Sequence, residues 1–311
     1  MKNDCIFDLQ GPEVPAEPHA GGVRTLLPLP RVTGCVPKAF PKDGRVIAIV
    51  DCEATSLNPA NAKIIELAVM GVIVDGEGRV AGNTSISSWL EDPDEVLSDE
   101  VKLVTRIDDE MLAGQSIDER AALGILNRAE MIVAHNASYD APIIERRLPS
   151  LAGKAWACSV RELDWLRLGY DGAKLGHLVM QAGWYCDGHR AAVDVAALFH
   201  LLQLQGSIGG DMPRTHLQRL LERADQPMVR VAAVRPEFEQ TPELKARGYR
   251  WAPENKSWWI DVSDYDADCE ETWLRGKGIR AIGFTRQTAC DRHRPARRNI
   301  IQSDEGGKAP F

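Results

Sequence analysis

Acidic residues and one histidine are grouped in three short motifs of this chain. These are Asp51-Cys-Glu53, Asp140 at the end of the run 135–140, and His189 with Asp194. Hydrolysis of a phosphodiester by two metals needs oxygen ligands that hold two divalent cations roughly 3.5–4 Å apart. Carboxylates supply such ligands, and a histidine, whose imidazole titrates at about pH 6.5, can accept the proton of an attacking water. The motifs therefore predict a phosphodiesterase site with two divalent cations, Mg²⁺ or Mn²⁺.

The first acid pair follows a buried strand. Residues 46–50 form an uninterrupted apolar run, and Asp51 comes directly after it. Side chains alternate along a strand, so Asp51 and Glu53 share one face while Cys52 points to the other. Open α/β sheets bind ligands beyond the carboxyl ends of their strands. The alternative is a solvent-exposed acid pair at a strand exit.

The second acid lies one turn inside a predicted helix. Asn136 follows the apolar strand 131–134 and is expected to cap a helix that begins at Ala137. Asp140 then points along a partly apolar face toward the body of the domain. The alternative is an acid favoured in the first turn by the helix dipole alone.

In the third motif, His189 and Asp194 can reach the same site only if the chain turns between them. On one helix His189 and Asp194 would be separated by about 140°, so we expect His189 to precede the helix 191–205 and only Asp194 to lie on it. The alternative is a surface-loop histidine. His135, His177 and His200 have no acidic partner at a useful spacing and are interpreted as structural.

Bulk properties limit the class of protein. The 311 residues allow two domains, and the net charge of −8 argues against coating nucleic acid through a global positive field. No apolar run approaches the roughly 18 residues of a membrane helix, and the amino terminus lacks a secretory core. Seven cysteines without a C-x-x-C pair indicate neither zinc nor a disulfide framework. These features predict a cytoplasmic protein without membrane contact.

Composition and periodicity predict five segments. A Pro- and Gly-rich flexible leader covers residues 1–43. Residues 44–206 read as an antiparallel meander followed by alternating helix and strand, which predicts an α/β domain with a mixed sheet flanked by helices. A linker, 207–228, leads to a small α+β domain, 229–285, with the ferredoxin-like order β-α-β-β-α-β. A flexible, mildly basic tail covers residues 286–311.

Residues 45–205 resemble the DEDDh 3′–5′ exonucleases, the family of the proofreading epsilon subunit, exonuclease T and oligoribonuclease. The three motifs occur in the family's order, and supporting matches are Lys63–Ala68, Ile107–Met111, Ala134–Asp140 and Lys174–Leu178. The chain departs from the family pattern after Glu53, and Arg106 stands where the family often has glycine.

The resemblance implies a ribonuclease H-like fold and removal of nucleoside 5′-monophosphates from single-stranded or frayed 3′ ends of DNA or RNA. It implies that Asp51, Glu53, Asp140 and Asp194 bind the metals and that His189 is the general base. Further candidate substrate contacts near these motifs are Ala54, Thr55, His135 and Asn136.

The carboxyl-terminal domain is rich in aromatic residues. If Trp251 pairs with Trp258 across the turn 253–256, one sheet face holds the predicted core, namely Tyr249, Trp251, Trp258 and Ile260. The other face holds Arg250, Trp259 and Asp261. An exposed Trp259 beside Arg250 is typical of a platform that stacks bases. The alternative is that Trp259 packs against the rest of the protein or a second subunit.

Two other functions stay open. The protein is alternatively a proofreading or repair subunit whose main role is docking to a polymerase or repair protein. A non-catalytic nucleic-acid-binding module is the second alternative, although the full set of five residues argues against it. Motifs do not distinguish DNA from RNA, because the contacts to the 2′-hydroxyl are not readable from them.

Overall fold

The structure, a computed structural model, describes residues 25–253, 255–294 and 301–302. The chain folds into two compact units, Met1–Ala224 and Asp225–Phe311. None of the described helices has the length and apolar character needed to cross a membrane.

Short and long strands alternate with eight helices in the first unit. The strands are β1 (Leu27–Pro28), β2 (Arg45–Ala54), β3 (Ile64–Val74), β4 (Val80–Asn83), β5 (Ser87–Leu90), β6 (Met131–Ala134), β7 (Ala155–Cys158), β8 (Trp184–Tyr185), β9 (Gln205–Gly206) and β10 (Arg214–Thr215). The helices are α1 (Asp99–Thr105), α2 (Asp109–Leu112), α3 (Glu119–Leu126), α4 (Ala137–Arg147), α5 (Ser159–Glu162), α6 (Leu175–Gln181), α7 (Ala191–Gln203) and α8 (His216–Asp225).

A six-stranded mixed sheet forms the centre of this unit. Its order is β4-β3-β2-β6-β7, with β5 also paired to β3. β2 and β3 are antiparallel, whereas β2, β6 and β7 are parallel. The predicted α/β class with a mixed sheet is confirmed. The two short strands β4 and β5 each pair with β3 in the antiparallel direction.

β2 is buried on both faces, which explains its uninterrupted apolar sequence. Ile47, Ala48, Ile49 and Val50 are all 0% exposed. On one face, Ala48 and Val50 belong to the core that includes α3 and α4. α7 also packs against β2 and β3. Solvent therefore reaches β2 only toward its ends, and its carboxyl end carries the polar residues Asp51 and Glu53.

Part of the segment predicted as a flexible leader is structured. β1 pairs in parallel with β8, and the Pro30 carbonyl accepts a hydrogen bond from His200 Nε2 at 2.9 Å. Cys35 pairs with Asn83 at the edge of the sheet, where a Cβ on Gly82 would come within 2.7 Å of the Cys35 carbonyl oxygen. The prediction is wrong for residues 25–43, because their ordering comes from pairing with distant strands. Residues 1–24 lie outside the described residues.

Two further features differ from the expectations. Cys35 is disulfide-bonded, whereas the other described cysteines are free. The predicted linker, 207–228, contains β10 and α8, whose Leu217, Leu220 and Leu221 are buried. The prediction of a linker is therefore wrong for residues 214–225, which form β10 and α8.

The second unit has the predicted ferredoxin-like order. Its elements are β11 (Met228–Val234), α9 (Thr241–Ala246), β12 (Arg250–Ala252), β13 (Ser257–Val262), α10 (Asp264–Gly276), β14 (Ile282–Gln287) and β15 (Ile301–Gln302). The sheet order is β12-β13-β11-β14-β15, and every pairing is antiparallel. Tyr249, Leu244 and Leu274 are buried in its core.

The predicted hairpin register is also observed. Trp251 pairs with Trp258, and Arg250 pairs with Trp259. Trp251 is nevertheless 48% exposed, so its assignment to the core is wrong. The reason is that β12 is the edge strand of the sheet.

The predicted flexible tail is partly ordered. Arg292 and His293 are buried, and Arg292 Nη2 donates to the Gln226 carbonyl at 3.2 Å. β15 adds a short strand beside β14. The prediction is therefore wrong for residues 286–294 and 301–302, while residues 295–300 and 303–311 lie outside the described residues.

Candidate active site

Three carboxylates meet at the carboxyl end of β2. Asp51 and Glu53 lie two residues apart on β2, and α7 brings Asp194 to them from its first turn. One oxygen from each lies within 4.8 Å of the others. A cluster of oxygen ligands suits hard divalent cations such as Mg²⁺ and Mn²⁺. The structure thus brings together three of the four predicted metal ligands.

The fourth acid, Asp140, lies beside this trio. It comes from α4, is 3% exposed, and its Oδ1 accepts hydrogen bonds from the Cys52 amide at 3.2 Å and the Cys52 thiol at 3.4 Å. Cys52 points into the core, as the alternation along β2 predicts. The residue between Asp51 and Glu53 therefore fixes the orientation of the fourth carboxylate.

The four acids are crowded in a poorly solvated place. Burial is the largest cause that raises the pKa of each. Repulsion by the other acids raises the pKa of Asp51, Glu53 and Asp140 further, and repulsion by Glu66 raises that of Asp194. For Glu53 the pKa rises from its usual 4.5 to about 7, with repulsion by Asp194 as the second cause. Such concentrated negative charge is stabilised when cations bind.

His189 stands just before α7, as its spacing from Asp194 predicts. It is exposed, its backbone adopts the left-handed conformation (φ 63°), and its amide donates to Asp194 Oδ2 at 2.9 Å. This turn directs the chain into the helix that carries Asp194. The imidazole consequently lines the same groove as the acids.

The acids and His189 line one open groove with a volume of about 1030 Å³. One wall of the groove is built from α6 and β8 and includes Lys174, His177, Met180 and Tyr185. Met180 is 45% and Tyr185 53% exposed, so this wall offers apolar surface to the groove. Lys174 adds a positively charged side chain to the same lining. Sequence reasoning missed these side chains, because nothing local to 174–185 indicates that it faces β2.

Residues 48–202 match the family model for the RNase_T exonucleases. The match spans all four acids and His189. These residues form an exonuclease domain of this family. The predicted DEDDh 3′–5′ exonuclease resemblance and ribonuclease H-like fold are therefore confirmed, and the first unit carries the exonuclease domain.

Solved structures with similar folds are exonucleases as well. Exonuclease X in complex with 5′-overhanging duplex DNA is 25% identical, with 50% of this chain and 89% of that chain covered and a TM-score of 0.38. The zinc-bound complex of E. coli exonuclease I with single-stranded DNA is 14% identical, with 76% and 68% covered and a TM-score of 0.44. Another exonuclease I structure is 16% identical, with 79% and 63% covered and a TM-score of 0.47. No curated protein matches the sequence.

The motif of the second acid has a different local structure from the one predicted. Asn136 is at the amino terminus of α4 with φ 107°, and its side chain makes no capping hydrogen bond. The predicted cap is wrong because side-chain capping needs an extended backbone at that residue. Asn136 instead lines the groove of the exonuclease domain.

His135 is held rigidly at the groove. Nδ1 lies 2.8 Å from Ser159 Oγ and Nε2 lies 2.8 Å from the Ala173 carbonyl. Burial lowers the pKa of His135 to about 4, so the ring is neutral and Nε2–H donates to Ala173. His135 thereby fixes the segment that precedes Lys174.

The residues directly after Glu53 are placed outside the groove lining. Ala54 is 7% exposed and belongs to the core, and Thr55 Oγ1 accepts a hydrogen bond from the Lys63 amide at 3.2 Å. Among the described residues that line the groove, neither is present. Tyr139, which does line it, donates its hydroxyl hydrogen to the Ser56 carbonyl at 2.8 Å and so holds this loop.

One predicted structural histidine has an acidic partner after all. His177 forms a hydrogen bond with Asp171, six residues upstream in the loop before α6. The prediction that it lacks such a partner is wrong, because the loop folds back onto the helix. His200 is structural as predicted, since it binds the Pro30 carbonyl.

The proposed base-stacking residues lie in the second unit. The Arg230 guanidinium lies 3.8 Å from the centre of the Trp259 ring, and that of Arg250 lies 5.2 Å from it. Arg230 is only 8% exposed and binds Asp261 through Nε and Nη2 at 2.8 and 2.9 Å. A side chain of the protein therefore already contacts the Trp259 ring.

Proposed function

We propose that this exonuclease uses divalent cations to release nucleoside 5′-monophosphates from single-stranded or frayed 3′ ends. The observation that carries the proposal is the meeting of Asp51, Glu53 and Asp194 within 4.8 Å, in the groove that His189 also lines. The three carboxylates are only partly exposed, and a bound cation would offset the repulsion between them.

The donor set fits Mg²⁺ or Mn²⁺. Asp51, Glu53 and Asp194 would hold the cations, with Asp140 as the fourth carboxylate. When bound, two such cations supply an activated water and neutralise charge on the phosphate oxygens. The raised pKa of Glu53 supports this assignment, because a nearby cation would relieve the cost of ionising it.

His189 accepts the proton of the attacking water in this proposal. Its exposed side chain can move at the rim of the groove and pass the proton to solvent. The hydrogen bond from its amide to Asp194 keeps the backbone beside the acids while the ring moves. A fixed backbone with a mobile imidazole ring suits a general base.

The α6–β8 wall gives the groove its substrate contacts. Tyr185 and Met180 would pack on a base, and Lys174 would contact a backbone phosphate. His135 and Asn136, which line the groove, would contact the terminal nucleotide. Stacking of bases on Arg250 and Trp259 is a separate part of the proposal. Both residues lie in the second unit, so substitutions there test it without changing the groove.

The decisive experiment uses DNA and RNA oligonucleotides that are labelled and blocked at one end in turn. We expect stepwise shortening from free 3′ ends with Mg²⁺, and none with chelator or in Asp51→Asn. Asp43→Asn is the matched control, because Asp43 is exposed before the start of β2 and has a positive φ that asparagine tolerates.

Other outcomes favour the other functions. Cleavage of 3′-blocked strands would contradict the proposed polarity. Tight binding without cleavage would indicate a non-catalytic module, and weak cleavage that a polymerase or repair protein increases would indicate a docking subunit. A cytoplasmic location stays a prediction.

A further inference from the structure

A buried acid next to the acid cluster is bonded to the segment that carries His189. Glu66 lies on β3 directly opposite Glu53 on β2 and is 3% exposed. It is the one charged residue in an otherwise apolar strand of eleven residues. A buried carboxylate is costly unless its oxygens are hydrogen-bonded, so its partners show what it does.

Four hydrogen bonds satisfy Glu66. Arg190 donates from Nε to Oε2 at 3.0 Å and from Nη2 to Oε1 at 3.3 Å. The Ala191 amide donates to Oε2 at 3.1 Å, and Ser88 Oγ donates to Oε1 at 3.0 Å. Three of these bonds join β3 to two consecutive residues that lie 124 and 125 positions away in the chain.

Arg190 and Ala191 lie between His189 and Asp194 in the chain. Arg190 follows His189, and its carbonyl accepts the amides of Val193 and Asp194 at 2.8 and 3.0 Å as α7 begins. His189 itself has a left-handed backbone, a conformation that non-glycine residues adopt only when the surroundings impose it. The bonds that hold Arg190 and Ala191 to β3 come directly after this turn in the chain.

We propose that Glu66 is a positioning residue that fixes His189 and Asp194 relative to the acids of β2. The inference rests on the proposed function, in which His189 is the general base. It differs from a purely stabilising ion pair, because Glu66 bonds the Ala191 amide as well as the Arg190 side chain. The Arg190 guanidinium bonded to Glu66 offsets the negative charge of this carboxylate, which lies directly opposite Glu53.

Glu66→Gln tests the proposal, since it keeps the size of the side chain and removes the charge-assisted pair. We expect kcat to fall about 10- to 100-fold with KM changed less than about threefold, because small misplacements of catalytic groups cost about that much. Arg190→Lys keeps the positive charge and loses the forked geometry. Its kcat should fall less than that of Glu66→Gln. If Glu66→Gln does not fold, Arg190→Lys alone provides the test.

Glu91→Gln is the matched control. Glu91 forms a comparable, partly buried ion pair with Arg147 in the same unit, outside the groove lining. We expect it to lower the melting temperature without changing kcat. If kcat falls in both Glu66→Gln and Glu91→Gln in proportion to their loss of stability, the proposal is wrong.

Hydrogen exchange gives a readout that does not depend on activity. In Glu66→Gln we expect the amides of residues 189–194 to exchange about tenfold faster than in the wild type, whereas Glu91→Gln leaves them unchanged. Unchanged exchange in Glu66→Gln would refute the positioning role. If the wild type cleaves nothing, the proposed function fails, and the exchange result still decides whether Glu66 holds this segment.

Discussion

Replacing Glu53 by glutamine tests whether the acid cluster is built for cations. Burial, and then repulsion by Asp194, raises the pKa of Glu53 from 4.5 to about 7. The folded protein thus binds this proton more tightly than the unfolded chain does. Ionised Glu53 consequently destabilises the metal-free fold increasingly from about pH 4.5 to pH 7, and the full cost is present above pH 7.

The magnitude follows from the size of that change. One pKa unit corresponds to about 1.36 kcal/mol, so ionised Glu53 costs at most about 3 kcal/mol, and solvent that reaches its partly exposed side chain reduces this value. In a domain of this size 1 kcal/mol shifts Tm by roughly 2–4 °C. In chelator at pH 8, Glu53→Gln should therefore melt as much as roughly 6–12 °C above the wild type.

Thermal unfolding at several pH values checks the sign as well as the size. The difference in Tm should be small at about pH 4.5, where Glu53 is half protonated in the unfolded chain, and should vanish at lower pH. Mg²⁺ should raise the Tm of the wild type at pH 8 and leave Glu53→Gln almost unchanged. Glu130→Gln, an exposed residue just before β6, serves as the control and should behave as the wild type. A Glu53→Gln variant with wild-type Tm in chelator and a full response to Mg²⁺ would refute the reasoning.

Three other variants separate roles within the molecule. His189→Ala should lower kcat about 10²- to 10⁴-fold and preserve the rise of Tm with Mg²⁺; an unchanged kcat would make His189 an ordinary loop residue. Asp140→Asn should abolish cleavage while the metal-free Tm holds or rises, because asparagine can still accept the Cys52 hydrogen bonds; substantial Mg²⁺-dependent activity would remove Asp140 from the metal site. Trp259→Ala should lower stability by about 3 kcal/mol, since Arg230 packs on its ring; a loss of about 1–3 kcal/mol in single-strand affinity without a change in Tm would instead show base stacking.

The local patterns of the sequence predicted most of the site's scaffold. The apolar run before Asp51 predicted β2, and strand alternation predicted that Asp51 and Glu53 act together while Cys52 enters the core. The five-residue spacing predicted that His189 precedes α7. In the second unit a short turn fixes the register, so the pairing of Trp251 with Trp258 was predictable as well.

Contacts between distant segments were not predictable. The bond between Glu66 and Arg190 and the pairing of β1 with β8 join residues more than a hundred positions apart, and periodicity carries no information about such partners. The acid within an apolar strand was a signal that Glu66 needs partners, but not which ones. Asn136 shows a different limit, because its residue type favours both a side-chain cap and a left-handed backbone, and the fold selects the second.

The pairing of β1 with β8 affects how the enzyme can be dissected. The family match begins at residue 48, yet Leu27 and Leu29 bond the strand that places Tyr185 in the groove wall. An expression fragment that starts at the family boundary would delete the neighbour of β8 and the carbonyl that His200 binds. The segment ahead of the family match is therefore paired with the exonuclease domain, and we expect its removal to shift the strand that carries Tyr185 while all four acids are kept.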